Sequence, residues 1–294
     1  MNTTEHKKSI FIAIAPNHIS NFESIIKNNL HEGKTILLNP GSFNYNNSLW
    51  SKVVNGDMSL QYNVSSRLNK LAFQLKKFID YKRFINKTIK KVNFDEYINY
   101  YYCNLDDVLS NHMYHTINKA RSSFNFVVED GVLNYYYPKQ SKKQLQNKML
   151  LSKLFGIKFT PFLNHATNIN SKNVKGQFVR LPSKTINPAK SYQLPFNSIS
   201  YNPKPNLVLI IGQDIMHNHH NGKDYYTKRL EKLFQIIHKD HGNSSIIYKP
   251  HRNGDTSIAE KLLSKYFEDY KLFRCIIPIE ERIQDIKPKY IFSF

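Results

Sequence analysis

Two short polar motifs each follow directly on an apolar, β-prone run. Glu129-Asp130-Gly131 comes after Phe124-Asn125-Phe126-Val127-Val128, and Lys249-Pro250-His251-Arg252 comes after Ser245-Ile246-Ile247-Tyr248. A carboxylate can take the proton of an attacking hydroxyl, and an imidazole can give a proton or a hydrogen bond to a departing phosphate oxygen. In layered α/β proteins ligands collect outside the carboxyl ends of the strands, so residues at these two places can serve one reaction. Lys249 and Arg252 flank the histidine as electrostatic helpers for an anionic leaving group. The apolar run Asn206 to Ile211 stops in the same way at Gly212-Gln213.

The elements that must position these residues alternate along the chain. Ile10 to Ala15 reads as a strand, Ile19 to Leu30 has helical spacing, and Thr35 to Leu38 is a second strand, a β-α-β opening that predicts a parallel sheet. Tyr62 to Lys91 is a long basic helix-prone stretch and Tyr97 to Cys103 a strand. Asp106 to Ala120 is a helix with two acids in its first turn, and Gln144 to Phe155 is another helix. Residues 161–205 carry Pro161, Pro182, Pro188, Pro195, Pro203 and Pro205 with little periodicity, which predicts an interdomain linker. Beyond it, strands over 206–211, 244–248, 273–277 and from 290 alternate with helices over 223–239, 258–266 and 281–286. The expectation is α/β: two Rossmann-like domains, 1–160 and 206–294, facing across a cleft.

Composition bounds the partners. The 294 residues carry a formal net charge of +20, from 42 basic and 22 acidic side chains, which calls for nucleic acid, an anionic membrane surface or acidic substrates. The lysines are scattered over 70–91 and 139–158 and no recognition motif accompanies them, so nucleic acid is not expected. The 2 cysteines, Cys103 and Cys275, have no metal or redox spacing and read as buried thiols of a reducing compartment. The apolar run at Ile10 is too short for a signal peptide or a membrane span, which places the protein in the cytoplasm with any membrane contact peripheral and electrostatic.

The motifs resemble those of bacterial sialyltransferases of the lipooligosaccharide and capsular polysialic acid type, which share an acidic-acidic-Gly motif and a His-Pro motif. Here these are Glu129-Asp130-Gly131, with Tyr135 four residues beyond Gly131, and Pro250-His251-Arg252, with Arg252 in the proline's place. Leu209-Ile210-Ile211-Gly212-Gln213 looks like the family's opening of the donor domain, and Pro278-Ile279-Glu280 like its Pro-x-Glu turn. The resemblance implies a glycosyltransferase B-type fold with an acceptor-side first domain and a donor-nucleotide second domain. It implies inverting transfer of a sialic or related nonulosonic acid from a CMP-activated donor to an oligosaccharide or lipid-linked glycan, without a metal or other cofactor. Glu129 or Asp130 is then the base and His251 the acid, with Gly212, Gln213, Lys249, Arg252 and Glu280 binding the donor. The family's late Ser/Thr pair would fall past Phe292-Ser293-Phe294, so the donor domain is expected to be shortened.

Each motif also has an ordinary reading. Glu129-Asp130-Gly131 can be an exposed turn, His251 a loop histidine, and Glu280-Glu281 the acidic first turn of a helix. His217, His219 and His220 lie in a polar loop without an acidic partner, a weak metal signal, and His112 and His115 read as structural. A glycerophosphotransferase with a CDP donor and a non-catalytic polyanion- or glycan-binding protein are the rival functions.

Overall fold

The computed structural model describes residues 7–58, 67–94, 97–119, 122–137, 141–195, 200–212, 222–251, 256–274, 279 and 282–293. The chain forms two compact units that divide at residues 197 and 198.

In the first unit seven strands make one parallel sheet: β1 (Lys7–Ile12), β2 (Lys34–Asn39), β3 (Lys52–Asn55), β4 (Tyr97–Tyr102), β5 (Ser123–Val128), β6 (Val174–Val179) and β7 (Ser191–Gln193). Their order is β3-β2-β1-β4-β5-β6-β7, every pair parallel. The helices are α1 (Pro16–Lys27), α2 (Arg67–Lys91), α3 (Val108–Ile117) and α4 (Lys142–Leu154). The strands are apolar on both faces because helices cover both. Ile10, Ile12, Ile98 and Tyr100 pack with Phe78, Phe84, Leu109 and Met113 of α2 and α3. Phe11, Leu37 and Tyr101 face Ile19, Phe22 and Ile25 of α1 on the opposite side. The chain winds outward from β1 to β3 and then returns to lay β4 beside β1. That reversal opens a crevice at the carboxyl ends of β1 and β4, where such folds hold ligands.

The second unit repeats the plan on a smaller scale, with parallel strands β8 (Lys204–Ile211), β9 (Ser245–Lys249), β10 (Tyr270–Leu272) and β11 (Pro288–Ser293) in the order β10-β9-β8-β11. Helices α5 (Gly222–His241), α6 (Ser257–Tyr266) and the short α7 (Ile283–Ile286) accompany it. Leu230, Phe234 and Ile237 of α5 and Leu262 and Leu263 of α6 bury one face of β8 and β9. Its winding also reverses, between β8 and β11, so Gly212 lies at the carboxyl end of a strand beside the switch. Both units are therefore Rossmann-like.

Two expectations need correction. Residues 161–205 are not a linker: β6 and β7 lie within them and extend the first sheet, and Pro182 and Pro188 start single 3-10 turns between those strands instead of breaking the domain. β10 lies just before the strand expected at 273–277, with Tyr270–Leu272 pairing with Ile246–Tyr248; Phe273 and Arg274 are not in a strand and 275–277 lie outside the described residues. Gly212 also has a packing reason to lack a side chain, since a Cβ there would come 2.3 Å from the Tyr248 hydroxyl and 2.8 Å from its Cζ. Tyr248 is buried and its hydroxyl meets that of Tyr226 at 3.1 Å, so the ring has nowhere to retreat. Gly212→Ala is expected to destabilise the second unit by about 1–3 kcal/mol, the usual cost of overpacking, read as a lower denaturant midpoint.

Candidate active site

Three loops at the carboxyl edge of the first sheet converge on Asp130. The turn after β1 runs through Ala13–Ala15 into α1, whose Pro16 occupies a first-turn position where a missing N–H costs nothing, and this sets His18 in the first turn facing the sheet. The loop after β4 carries Asn104, and β5 leads directly into Glu129 and Asp130. Gly131 then turns the chain at φ +55°, a left-handed conformation that glycine adopts without strain.

His18 is buried, with 3% of its side chain exposed. The backbone N–H of Ile14 donates to its Nδ1 at 3.2 Å, which makes Nδ1 an acceptor and puts the ring proton on Nε2. That Nε2–H points at Asp130 Oδ1, 3.3 Å away. Its contact with Asp130 is therefore a hydrogen bond donated from Nε2. Asn104 Nδ2 donates to the other carboxylate oxygen at 2.5 Å, and the Asp130 backbone N–H donates to Asn134 Oδ1 at 3.0 Å. With 28% of its side chain exposed, Asp130 keeps lone pairs open to a substrate. Burial pushes its pKa up, but the hydrogen bond from His18, the electrostatic attraction of that ring and the hydrogen bond from Asn104 outweigh it and hold the carboxyl below the ordinary aspartate value.

Glu129 is built differently, although it is the neighbouring acid. Only 4% of its side chain is exposed. Its Oε2 accepts the backbone N–H of Arg180 at 2.5 Å and the Tyr135 hydroxyl, while Oε1 meets Arg180 Nη1 at 3.2 Å. Arg180 Nη2 reaches Asn21 Oδ1 at 3.4 Å, and Asn21 Nδ2 returns a hydrogen bond to the Glu129 carbonyl at 3.1 Å. Burial, then the bond to Glu129, pushes the Tyr135 hydroxyl up to about 12, so it stays a donor. Glu129 thus clamps α1, the end of β5 and the end of β6 together, and its oxygens are occupied.

The two acids offered as alternatives therefore separate by environment: Asp130 is reachable and ionised, and Glu129 is a buried tie. Sequence reasoning missed His18, Asn104, Asn21 and Arg180. The first follows an apolar strand directly, at Pro16-Asn17-His18, which is the same placement that drew attention to the two motifs. Arg180 lay in the supposed linker.

A cavity of about 430 Å³ opens near this edge between α2 and α4, lined by Gln74, Phe78, Tyr81, Asp106, Gln144 and Lys148 among others. It connects to the site through one loop. Tyr81 donates its hydroxyl proton to Asp107 Oδ2 at 3.1 Å, the Asp107 N–H donates to Asn104 Oδ1 at 3.1 Å, and Asn104 holds Asp130. Asp107 also caps α3 by accepting the Ser110 N–H at 2.8 Å.

In the second unit, Lys249 ends β9 and its carbonyl accepts the Gly212 N–H at 2.8 Å, so Gly212 and the lysine sit side by side at the carboxyl edge. His251 follows two residues later and is partly exposed. Gln213, Arg252 and Glu280 lie outside the described residues, as do Cys275 and the histidine loop at 217–220. Cys103 is buried beside the site, and burial raises its thiol well above the ordinary value, so it supplies no thiolate. Among the described residues, no group of three His, Cys, Asp or Glu side chains is placed to hold a metal ion.

No known protein-family model matches the chain, and no curated protein matches it significantly. Solved structures resemble it over most of their length at low identity. A UDP-L-rhamnose complex of an Arabidopsis thaliana protein shares 10% identity at TM-score 0.49, with 99% of this chain and 75% of that one covered. The Neisseria meningitidis UDP-GlcNAc 2-epimerase bound to UDP-GlcNAc shares 10% at TM-score 0.43, covering 98% and 76%. MurG of Acinetobacter baumannii shares 11% at TM-score 0.37, covering 98% and 71%.

Proposed function

We propose that the chain is an inverting glycosyltransferase that moves a sialic or related nonulosonic acid from a CMP-activated donor to a glycan hydroxyl. The observation that carries this reading is Asp130: an ionised, accessible carboxylate at the carboxyl edge of the β1–β4 switch, with both oxygens oriented by His18 and Asn104. Asp130 takes the proton of the acceptor hydroxyl as its oxygen attacks the anomeric carbon. The bond from that carbon to the phosphate breaks in the same displacement, and the electron pair leaves on CMP. His251, at the carboxyl end of β9, donates a hydrogen bond or proton to the departing phosphate, assisted by the charge of Lys249. Bringing His251 to the donor that Asp130 serves is part of the proposal. His18 is a positioning residue in this scheme, since it is buried and acts through Asp130.

A donor panel tests it. The full chain is incubated with an oligosaccharide acceptor and, separately, CMP-sialic acid, UDP-GlcNAc or CDP-glycerol, and products are read by mass spectrometry. Transfer from CMP-sialic acid alone supports the proposal. Transfer from UDP-GlcNAc or CDP-glycerol alone replaces the donor, and no transfer from any of the three together with no binding of CMP removes the reading.

A further inference from the structure

Helix α4 carries a second exposed face that packing does not explain. Its inner side buries Leu145 and Ser152. Its outer side exposes Met149, Leu150 and Leu154, the last two at 69% and 72%. At 3.6 residues per turn, Lys143, Leu150 and Leu154 form one row along that face and Lys142, Met149 and Lys153 the next. The helix contains Lys142, Lys143, Lys148 and Lys153 and no acidic residue. No other described helix combines lysine with an absence of acid.

From this we infer that the outer face of α4 is a membrane-docking surface for an anionic bilayer. Charge complementarity selects this occupant. Lysines interleaved with leucines suit an interface where ammonium groups meet lipid phosphates while leucines enter the headgroup and acyl boundary. An apolar protein groove would instead bury the three outer lysines without counter-charges. The net charge of +20 adds a long-range attraction to the same surface. Because α4 follows Asp130 in the chain, with the 3-10 turn Gly131–Tyr135 between them, docking would hold the first unit at the leaflet where a lipid-linked acceptor resides. The docking surface stands whether or not the proposed donor is right.

Vesicle co-sedimentation of the full chain tests it, using phosphatidylcholine vesicles with and without about 30% phosphatidylglycerol at low salt. Wild type is expected to bind the anionic vesicles and to leave the neutral ones largely unbound. Leu150→Gln/Leu154→Gln should weaken anionic binding about tenfold or more, since two leucines no longer leave water. Lys142→Gln/Lys143→Gln/Lys153→Gln should do likewise and should flatten the salt dependence. Both variants change exposed positions and are checked for an unaltered thermal midpoint. The comparison is Lys76→Gln/Lys87→Gln/Lys90→Gln on α2, which removes the same charge from another exposed helix face. If that variant loses as much as the α4 lysine variant, or if the leucine variant binds like wild type, the docking face is wrong. It is equally wrong if wild type ignores anionic vesicles or if the leucine variant turns a dimer into a monomer.

Discussion

Asp130→Asn is expected to lower turnover by about 10²–10⁴-fold, the range that general base catalysis supplies, while leaving a folded protein. Asparagine keeps the shape of the side chain and one acceptor oxygen. Its amide replaces an oxygen that His18 or Asn104 now donates to, so one donor faces another at a cost of about 1 kcal/mol. Binding of CMP should be unchanged, which separates a lost base from a lost fold. The pH profile carries the sharper signature. Because the carboxyl of Asp130 lies below its ordinary value, the acid limb of kcat/KM should fall below the usual aspartate range. A depressed pKa also makes this group a stabilising one above its unfolded value, and that contribution is lost as pH falls through the folded one. His18→Ala removes one of the two hydrogen bonds that offset burial, so the acid limb should move upward. A purely structural role for His18 would lower the folded fraction, through the unsatisfied Ile14 N–H, and leave the limb where it was.

Glu129→Ala should destabilise the first unit by about 2–4 kcal/mol, because it removes a buried carboxylate that is the acceptor of both the Arg180 N–H and the Tyr135 hydroxyl. For a unit of this size the thermal midpoint then drops by roughly 5–15 °C. Glu129→Gln keeps one acceptor oxygen for these donors, while its amide nitrogen replaces the oxygen that Arg180 Nη1 donates to and the charge opposite Arg180 is lost. That guanidinium is 46% exposed and screened by water, so the pair itself contributes no more than about 1 kcal/mol. The folded fraction of either variant should turn over substrate within a few-fold of wild type. If Glu129→Gln matched the stability of wild type yet was as inactive as Asp130→Asn, the roles of the two acids would be reversed.

Adjacent positions in one motif thus carry different work, and no local rule distinguishes them. Glu129 and Asp130 follow the same strand and precede the same glycine. What separates them is the partner each meets: Arg180, 51 positions on, and His18, 112 positions back. The expected linker failed for a related reason. Prolines and short polar stretches at 161–205 read as loop, yet the brief strand β6 gains its stability from pairing with β5, a distant segment, and β7 in turn from pairing with β6.

Periodicity along the chain was enough to determine the alternating strands and helices, the two parallel α/β units, and the placement of both motifs just past strand ends, because each of these depends on neighbours within a turn or two. Only the tertiary structure decided which acid is free and which is tied, that a histidine after β1 and an asparagine after β4 orient it, and where the first unit ends. Those outcomes rest on hydrogen bonds between segments that the sheet order brings together, and the sheet order is a property of the whole packed domain.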